Sequence, residues 1–157
     1  MLDVDVREAA PADDDGIAAV RASALATLRQ TYRPNRKAVA HKQTIAETLT
    51  RLVAVLDGRV VGVVEYSIAS DRVHFQSLGV HFDYRGQGVA KQLVAELARI
   101  GKSSGATRLS TYAVTQTGNP AIFERMGFHV ISEEPSEFFE SDRFDTITET
   151  YLERPTD

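Results

Sequence analysis

An arginine and two glycines stand where an apolar, strand-like run gives way to a helical pattern, in the stretch HFDYRGQGVAKQL, residues 81–93. A turn alone needs one glycine. Gly86 and Gly88 beside Arg85 instead indicate a loop whose main chain comes close to a ligand. The first N–H groups of a helix lack partners within it and lie at its positive dipole end. The stretch therefore predicts a strand-loop-helix unit that holds an anion, with phosphate or pyrophosphate as the best fit.

Two familiar phosphate-binding loops do not match this spacing. A nucleoside-triphosphate loop needs Gly-x-x-x-x-Gly-Lys-Ser/Thr, but Gly88 is followed by Val89 and Ala90, so no hydroxyl is placed to hold magnesium. A dinucleotide fingerprint needs a third glycine where Lys91 stands, and it belongs to a parallel strand-helix-strand unit. From the loop residues alone, a tight strand-to-helix turn without a ligand remains the alternative.

Apolar periodicity predicts a mixed sheet with helices on its faces, in the order β-α-α-β-β-β-α-β-α-β-β. The Asp57-Gly58 pair predicts a two-residue hairpin turn, and Asn119 and Gly127 predict the N-cap and C-cap of a short helix. Strands are expected at residues 3–8, 52–56, 60–64, 73–80, 108–114, 128–132 and 146–152. Helices are expected around residues 13–28, 45–49, 89–100 and 121–126.

Composition limits the class of protein. The 157 residues predict a single domain over 1–157. A net charge of −4 argues against a nucleic-acid partner, and no apolar run is long enough to predict a membrane segment. The chain has no cysteine, and the acidic run 13–15 is better explained as a helix start matched to the dipole than as a metal site. For these two reasons we expect no bound metal. The acidic N-terminal residues are unlike a signal peptide, so we expect a cytoplasmic protein.

Three segments resemble one known family. Arg85-Gly86-Gln87-Gly88-Val89-Ala90 resembles the Arg/Gln-x-x-Gly-x-Gly/Ala loop of the GNAT superfamily of N-acetyltransferases. Leu78-Gly79-Val80-His81 resembles that family's Leu-x-Val-x strand end, and residues 119–128 resemble its short helix ending in Gly-Phe. The element order is also similar over nearly the whole chain. The resemblance implies an α/β fold of the GNAT type, with a largely antiparallel sheet of about seven strands and about four helices.

The resemblance also implies acetyl-CoA as co-substrate and direct attack on it by a primary amine of a small molecule or peptide. By analogy, the main chain of the loop, from Arg85 and Gly86 through Gln87, Gly88, Val89 and Ala90 to Lys91, would hold the pyrophosphate. Leu78, Gly79 and Val80 would pair with the pantetheine arm, and the Val80 N–H would polarise the thioester. Asn119 would either reach the cofactor or only cap its helix. A homodimer is compatible with the family.

Two positions depart from the family pattern. Where many relatives carry a tyrosine that acts as acid, this chain has Phe123, which can pack on pantetheine but cannot donate a proton. Where many carry a glutamate base, it has Gln76, which can only position water. His74 and Glu65 are the remaining base candidates, and His74 is favoured because histidine titrates near neutrality. Tyr112 and Tyr84 are the substitute donors.

These departures keep other functions open. A non-catalytic acyl-CoA-binding module or sensor is the main alternative to an enzyme, and a nucleotide-phosphate binder is a weaker one. The acidic segment 133–145 either borders the acceptor side, favouring a cationic amine, or is simply solvated. The sequence does not identify the acceptor.

Overall fold

A seven-stranded sheet forms the centre of the molecule. The computed structural model describes residues 1–38 and 49–157. Their strands are β1 Asp5–Glu8, β2 Arg33–Pro34, β3 Thr50–Leu56, β4 Arg59–Ala69, β5 Arg72–Val80, β6 Arg108–Val114, β7 His129–Pro135, β8 Phe139–Glu140 and β9 Thr148–Pro155. Their α-helices are α1 Asp14–Leu28, α2 Val89–Ser103 and α3 Asn119–Arg125, and residues 36–38 are also helical. The sheet order is β1-β3-β4-β5-β6-β9-β7, while β2 and β8 form a separate pair.

The predicted mixed sheet is confirmed. β3 and β4 form the expected hairpin, in which Asp57 and Gly58 both have positive φ, 50° and 78°, as a two-residue turn with left-handed torsions requires. Neighbouring strands of the large sheet are antiparallel except β5 and β6, which run parallel. The second predicted helix, around Ile45, lies outside the described residues.

Helices cover both faces of the sheet. On one face, Ile17 and Val20 of α1 pack on Val53 and Val63. On the other, α2 buries the apolar stripe that its sequence predicts, and this stripe joins the main core of Val73, Phe75, Leu109 and Leu152. None of the helices in the described part of the chain is long and apolar enough to span a bilayer.

The sheet opens between β5 and β6. Their pairing covers only Arg72–His74 against Arg108–Ser110. Beyond this point the β4–β5 register shifts between Val63 and Glu65, and Ser77 on β5 has a φ of 54°. Such a bulge bends a strand and re-aims its backbone. The second half of β5 therefore leaves β6, and a V-shaped gap opens toward the two carboxyl ends.

Three sequence expectations need correction. Gly118, with φ 79°, is the N-cap of α3, and Asn119 is its first helical residue with no side-chain capping bond. The glycine takes the left-handed conformation and moves the helix start by one residue. β7 continues to Pro135, so part of the acidic segment is strand rather than loop. The C-cap of α3 is Met126, and Gly127, which was expected at that position, follows it with a left-handed φ of 92°.

The first helix is tied to β1 by a buried carboxylate. Arg7 donates to both oxygens of Asp13, at 2.7 and 2.9 Å, and the Ala10 N–H donates to one of them at 2.7 Å. The Arg7 hydrogen bond, and next the Ala10 N–H, lower the pKa of Asp13 from 3.8 to about 2. Asp13 is therefore an anchor within the described fold, while Asp14 and Asp15 stay exposed.

This pair predicts an acid-dependent loss of stability. Because the pKa is depressed on folding, Asp13 stabilises the native state above pH 3.8, and this contribution disappears as pH falls toward about 2. The free energy of unfolding in urea should fall more between pH 5 and pH 2 for the wild type than for Asp13→Asn. Equal slopes for the two proteins would contradict the assignment.

Candidate active site

The loop before α2 offers a set of unused N–H groups. None of the main-chain N–H groups of residues 86–91 donates a hydrogen bond within the described part of the chain. Gly86 and Gly88 have φ of 72° and 87°, and Gly88 is the N-cap of a helix of fifteen residues. Lys91 in the first turn is exposed and makes no ion pair with a described residue. These donors at the positive end of a helix dipole suit a phosphate group.

Arg85 reaches toward α1 instead of along the loop. Its guanidinium donates to Thr27 Oγ1 at 2.9 Å, to the Ser23 carbonyl at 3.2 Å and to the Val80 carbonyl at 3.2 Å. These three bonds hold the loop, the end of β5 and the helix together. A contact between Arg85 and a phosphate stays a prediction.

The end of β5 leaves main-chain groups facing the V-shaped gap. The His81 N–H donates to the Val61 carbonyl at 2.9 Å, toward β4. Main-chain groups alternate in direction along a strand, so the Val80 N–H points to the β6 side, where β6 no longer pairs. At Gly79 the chain runs close to α1, since an added Cβ would lie 3.2 Å from the Ala24 Cβ. The edge of β5 that faces the gap is unpaired beyond His74, so it can accept an extended ligand as an added strand.

Phe123 belongs to an aromatic cluster beneath the gap. It is 9% exposed, and its ring centroid lies 5.9 Å from that of Phe75 and 5.4 Å from that of Phe128. Because residue 123 is a phenylalanine, this position supplies no hydroxyl. The Asn119 side chain makes no hydrogen bond to a described residue, so the alternative that it caps α3 is not supported.

His74, Gln76 and Tyr112 share one face of the sheet, the α1 side. His74 Nδ1 lies 2.8 Å from Ser110 Oγ, and its ring meets that of Tyr112 edge-on at 5.7 Å. Burial, and next the charge of Arg72, lower the pKa of His74, so the imidazole is neutral at neutral pH. The structure brings His74 and Tyr112 into contact, and Gln76 lies two residues further along β5 on the same face, opposite Glu65.

The other proton-handling candidates are engaged or set apart. Glu65, directly opposite Gln76 in the β4–β5 register, forms an ion pair with Arg21 of α1. Tyr84 lies after β5, against His81 and within reach of Arg59 at 3.5 Å. Tyr112 is 56% exposed, and its ring packs 4.8 Å from that of Tyr151. Of the two tyrosines, Tyr112 is the one beside His74.

Sequence reasoning missed Ser110 and Arg21. Ser110 is one of two buried hydroxyl residues in β6, and only the parallel β5–β6 pairing places it next to His74. Arg21 was an ordinary position on the polar side of α1. The described residues contain no group of three or more His, Cys, Asp or Glu side chains suited to a metal ion.

Comparison with known proteins decides the family. The model of the acetyltransferase (GNAT) family matches residues 18–128, well over half of the chain. The chain belongs to the GNAT family of acetyltransferases. No curated protein sequence gives a significant match.

Solved structures agree on the fold of this GNAT protein. The PaiA N-acetyltransferase from Thermoplasma acidophilum, in complex with coenzyme A, has a TM-score of 0.72 at 17% identity, over 98% of this chain and 99% of that one. Nourseothricin acetyltransferase gives 0.70 at 18% identity, over 98% and 99%. The ribosomal-protein-S18-alanine N-acetyltransferase from Escherichia coli gives 0.70 at 14% identity, over 99% and 95%. At these identities the likeness shows the fold and leaves the acceptor open.

Proposed function

We propose that this enzyme transfers the acetyl group of acetyl-CoA to a primary amine of a small molecule or peptide. The proposal rests on one observation: the N–H groups of residues 86–91 are unused. These residues lead into α2 beside the open edge of β5. In the reaction the amine nitrogen bonds to the acetyl carbon and the carbon–sulfur bond breaks. The amine gives up one proton, and CoA leaves as the thiol or thiolate.

The donor end fits CoA in two places. The amides of residues 86–91, with Lys91 nearby, would hold the pyrophosphate, since charge-assisted hydrogen bonds from a helix start favour an anion. The main chain from Leu78 to Val80 would pair with the pantetheine amides along the side that β6 leaves free. Asn119 and Phe123 lie where β6 runs into α3, and we place them against the same arm.

The reacting end lies near the bulge of β5. A gap-side N–H of β5 next to the bulge would stabilise negative charge on the thioester oxygen. The Val80 N–H also faces the gap, but it lies about 20 Å from His74 along the strand, so we place it against the pantetheine arm rather than at this charge. Phe123 offers no proton, but a thiolate with a pKa of about 8.5 departs with little assistance. Tyr112 is our candidate donor on this face, because it lies beside His74 and its hydroxyl makes no hydrogen bond within the described residues.

The amine would approach from the α1 side, over Gln76 and His74. The acidic segment on this side is partly neutralised, since Arg33 pairs with Glu140 and Asp142 at 3.0 Å each. We therefore do not assign a strongly cationic acceptor. Cytoplasmic location and a homodimer remain proposals, and the oligomeric state is measured by light scattering after gel filtration.

A screen with purified protein tests the proposal. Acetyl-CoA is mixed with a library of small amines and peptides, and released CoA is followed with a thiol reagent, which works cleanly because the chain has no cysteine. Turnover with at least one amine, with the acetylated product seen by mass spectrometry, is expected. If acetyl-CoA binds in calorimetry but no amine is acetylated, the non-catalytic acyl-CoA-binding module is the better description.

Once an acceptor is known, Tyr112→Phe tests the proton donor. We expect kcat to fall about tenfold. This is less than the rate factor of about a hundredfold or more that general acid catalysis usually contributes, because the thiolate is a good leaving group. The KM for acetyl-CoA should not change. Tyr84→Phe is the matched control and should keep the wild-type kcat. Equal rates for Tyr112→Phe and the wild type would exclude Tyr112 as the acid.

A further inference from the structure

Ser110 lies beside His74 at the last paired position before β5 and β6 separate. The side chain is fully buried, at 0% exposure, and its Oγ is 2.8 Å from His74 Nδ1. This is the single hydrogen bond that the Ser110 hydroxyl makes to a described residue. Among the described residues, His74 Nδ1 is therefore the one available acceptor for the Ser110 hydroxyl hydrogen, and Ser110 Oγ is the one available acceptor for a hydrogen on Nδ1.

A neutral imidazole carries one hydrogen, so two arrangements exist. If Ser110 donates to Nδ1, the hydroxyl hydrogen is satisfied and His74 carries its hydrogen on Nε2. If Nδ1–H donates to Ser110, the hydroxyl hydrogen is buried without an acceptor. Leaving a buried donor unpaired disfavours the second arrangement by about tenfold or more. The burial that lowers the pKa of His74 keeps the ring in this neutral form.

The second ring nitrogen is open to a ligand. Among the described residues, Arg108 Nε is the one fully buried side-chain nitrogen or oxygen without a partner. His74 Nε2 has no hydrogen-bond partner among these residues either, and since it is not one of the fully buried atoms it keeps contact with solvent. It does so on the face that carries Gln76 and Tyr112.

We propose that Ser110 is a positioning residue that fixes His74 as an Nε2–H donor, aimed at the negative charge that develops during acetyl transfer. This replaces the base role that the sequence suggests for His74, and it rests on the proposed acetyltransferase function. A neutral imidazole can stabilise such charge by a hydrogen bond without releasing its proton. The proton of the amine then leaves to water near Gln76.

Charged groups around this ring are already paired. Arg72 bonds to the Tyr151 hydroxyl and lies 3.7 Å from Glu153, which also accepts from Arg108 at 3.0 Å. On the β4 side, Glu65 is paired with Arg21. No carboxylate among the described residues contacts His74, so none competes with Ser110 for Nδ1.

Nitrogen NMR of the full chain tests the tautomer without any substrate. The ¹⁵N shifts of His74, assigned by comparison with His74→Gln, should show hydrogen on Nε2 and an unprotonated Nδ1 at pH 7.5. Ser110→Thr keeps the hydroxyl and should preserve this pattern, while Ser110→Ala should give a mixture of tautomers. Hydrogen on Nδ1 in the wild type, or an unchanged spectrum in Ser110→Ala, would overturn the proposal.

Amide substitutions test the role in turnover. A glutamine amide can place an N–H near the position of Nε2, an asparagine amide can place one near Nδ1, and neither accepts a proton. We expect His74→Gln to stay within about fivefold of the wild-type kcat, and His74→Asn and His74→Ala to fall about a hundredfold, as for loss of one charge-stabilising donor. Equal loss in all three would show that an N–H at the Nε2 position is not what turnover requires, and would overturn the proposal. The NMR result stands even if no amine is found, so failure of the proposed function is recognised separately.

Discussion

Gly88→Val is expected to weaken CoA binding by about tenfold to a hundredfold, equivalent to one charge-assisted hydrogen bond of about 1.5–3 kcal/mol. Gly88 has a φ of 87°, a conformation that a β-branched residue strongly resists. The new Cβ would also lie 2.6 Å from the Met1 Cγ. Met1 is exposed and can move, so the backbone torsion decides the outcome. To relieve this torsional strain the loop must rotate, and the N–H groups of residues 86–91 then no longer converge on one phosphate group.

Gly105→Val is the matched control for this prediction. Gly105 has a similar φ of 81°, with open space around it, and it follows the opposite end of α2, about 22 Å away for fifteen residues. It should lose stability for the same torsional reason but keep the wild-type Kd for CoA in calorimetry. Wild-type affinity in Gly88→Val, or an equal loss in Gly105→Val, would show that the loop amides do not hold the cofactor.

The parts of the site that depend on local sequence were predictable. A loop with Gly86 and Gly88 between a strand and an amphipathic helix leaves few conformations, and the positive φ at both glycines is what such a loop needs. The Asp57-Gly58 hairpin and the left-handed Gly127 follow from the same local torsional rule. The family resemblance rested on residues 78–81, 85–90 and 119–128 and on the order of the elements, and the match to the family model confirms it.

Features that depend on long-range pairing were not predictable. Ser110 meets His74 only because β5 and β6 run parallel and separate just beyond this pair, and no pattern within 108–114 encodes that register. Arg85 turns to Thr27, which is 58 positions away in sequence. Asn119 was expected as a cap from its residue type, but Gly118 adopts the left-handed torsion and takes that position. In each case a distant or competing partner outweighs the local preference.

Phe75→Ala is expected to lower the free energy of unfolding by about 3–5 kcal/mol, as for deletion of a large aromatic from a core. Phe75 is 0% exposed, and its ring lies 5.9 Å from that of Phe123 and 5.8 Å from that of Phe128. Its main-chain carbonyl also accepts from Thr111 Oγ1 at 2.9 Å, next to the point where β6 leaves β5. Since a domain is stable by only about 5–15 kcal/mol, this loss removes a large share.

Phe82→Ala is the control for Phe75→Ala. It removes the same kind of side chain from an exposed position, so the difference between the two variants measures the effect of burial on stability. Phe82 follows the same strand but is 68% exposed, so its removal should change stability by no more than about 0.5 kcal/mol. Urea denaturation followed by circular dichroism measures both, and the slope with denaturant should stay the same. A small effect of Phe75→Ala would mean that the aromatic cluster collapses onto the missing ring. The gap between β5 and β6 would then lack the rigid support that a fixed Val80 N–H and a fixed His74 require.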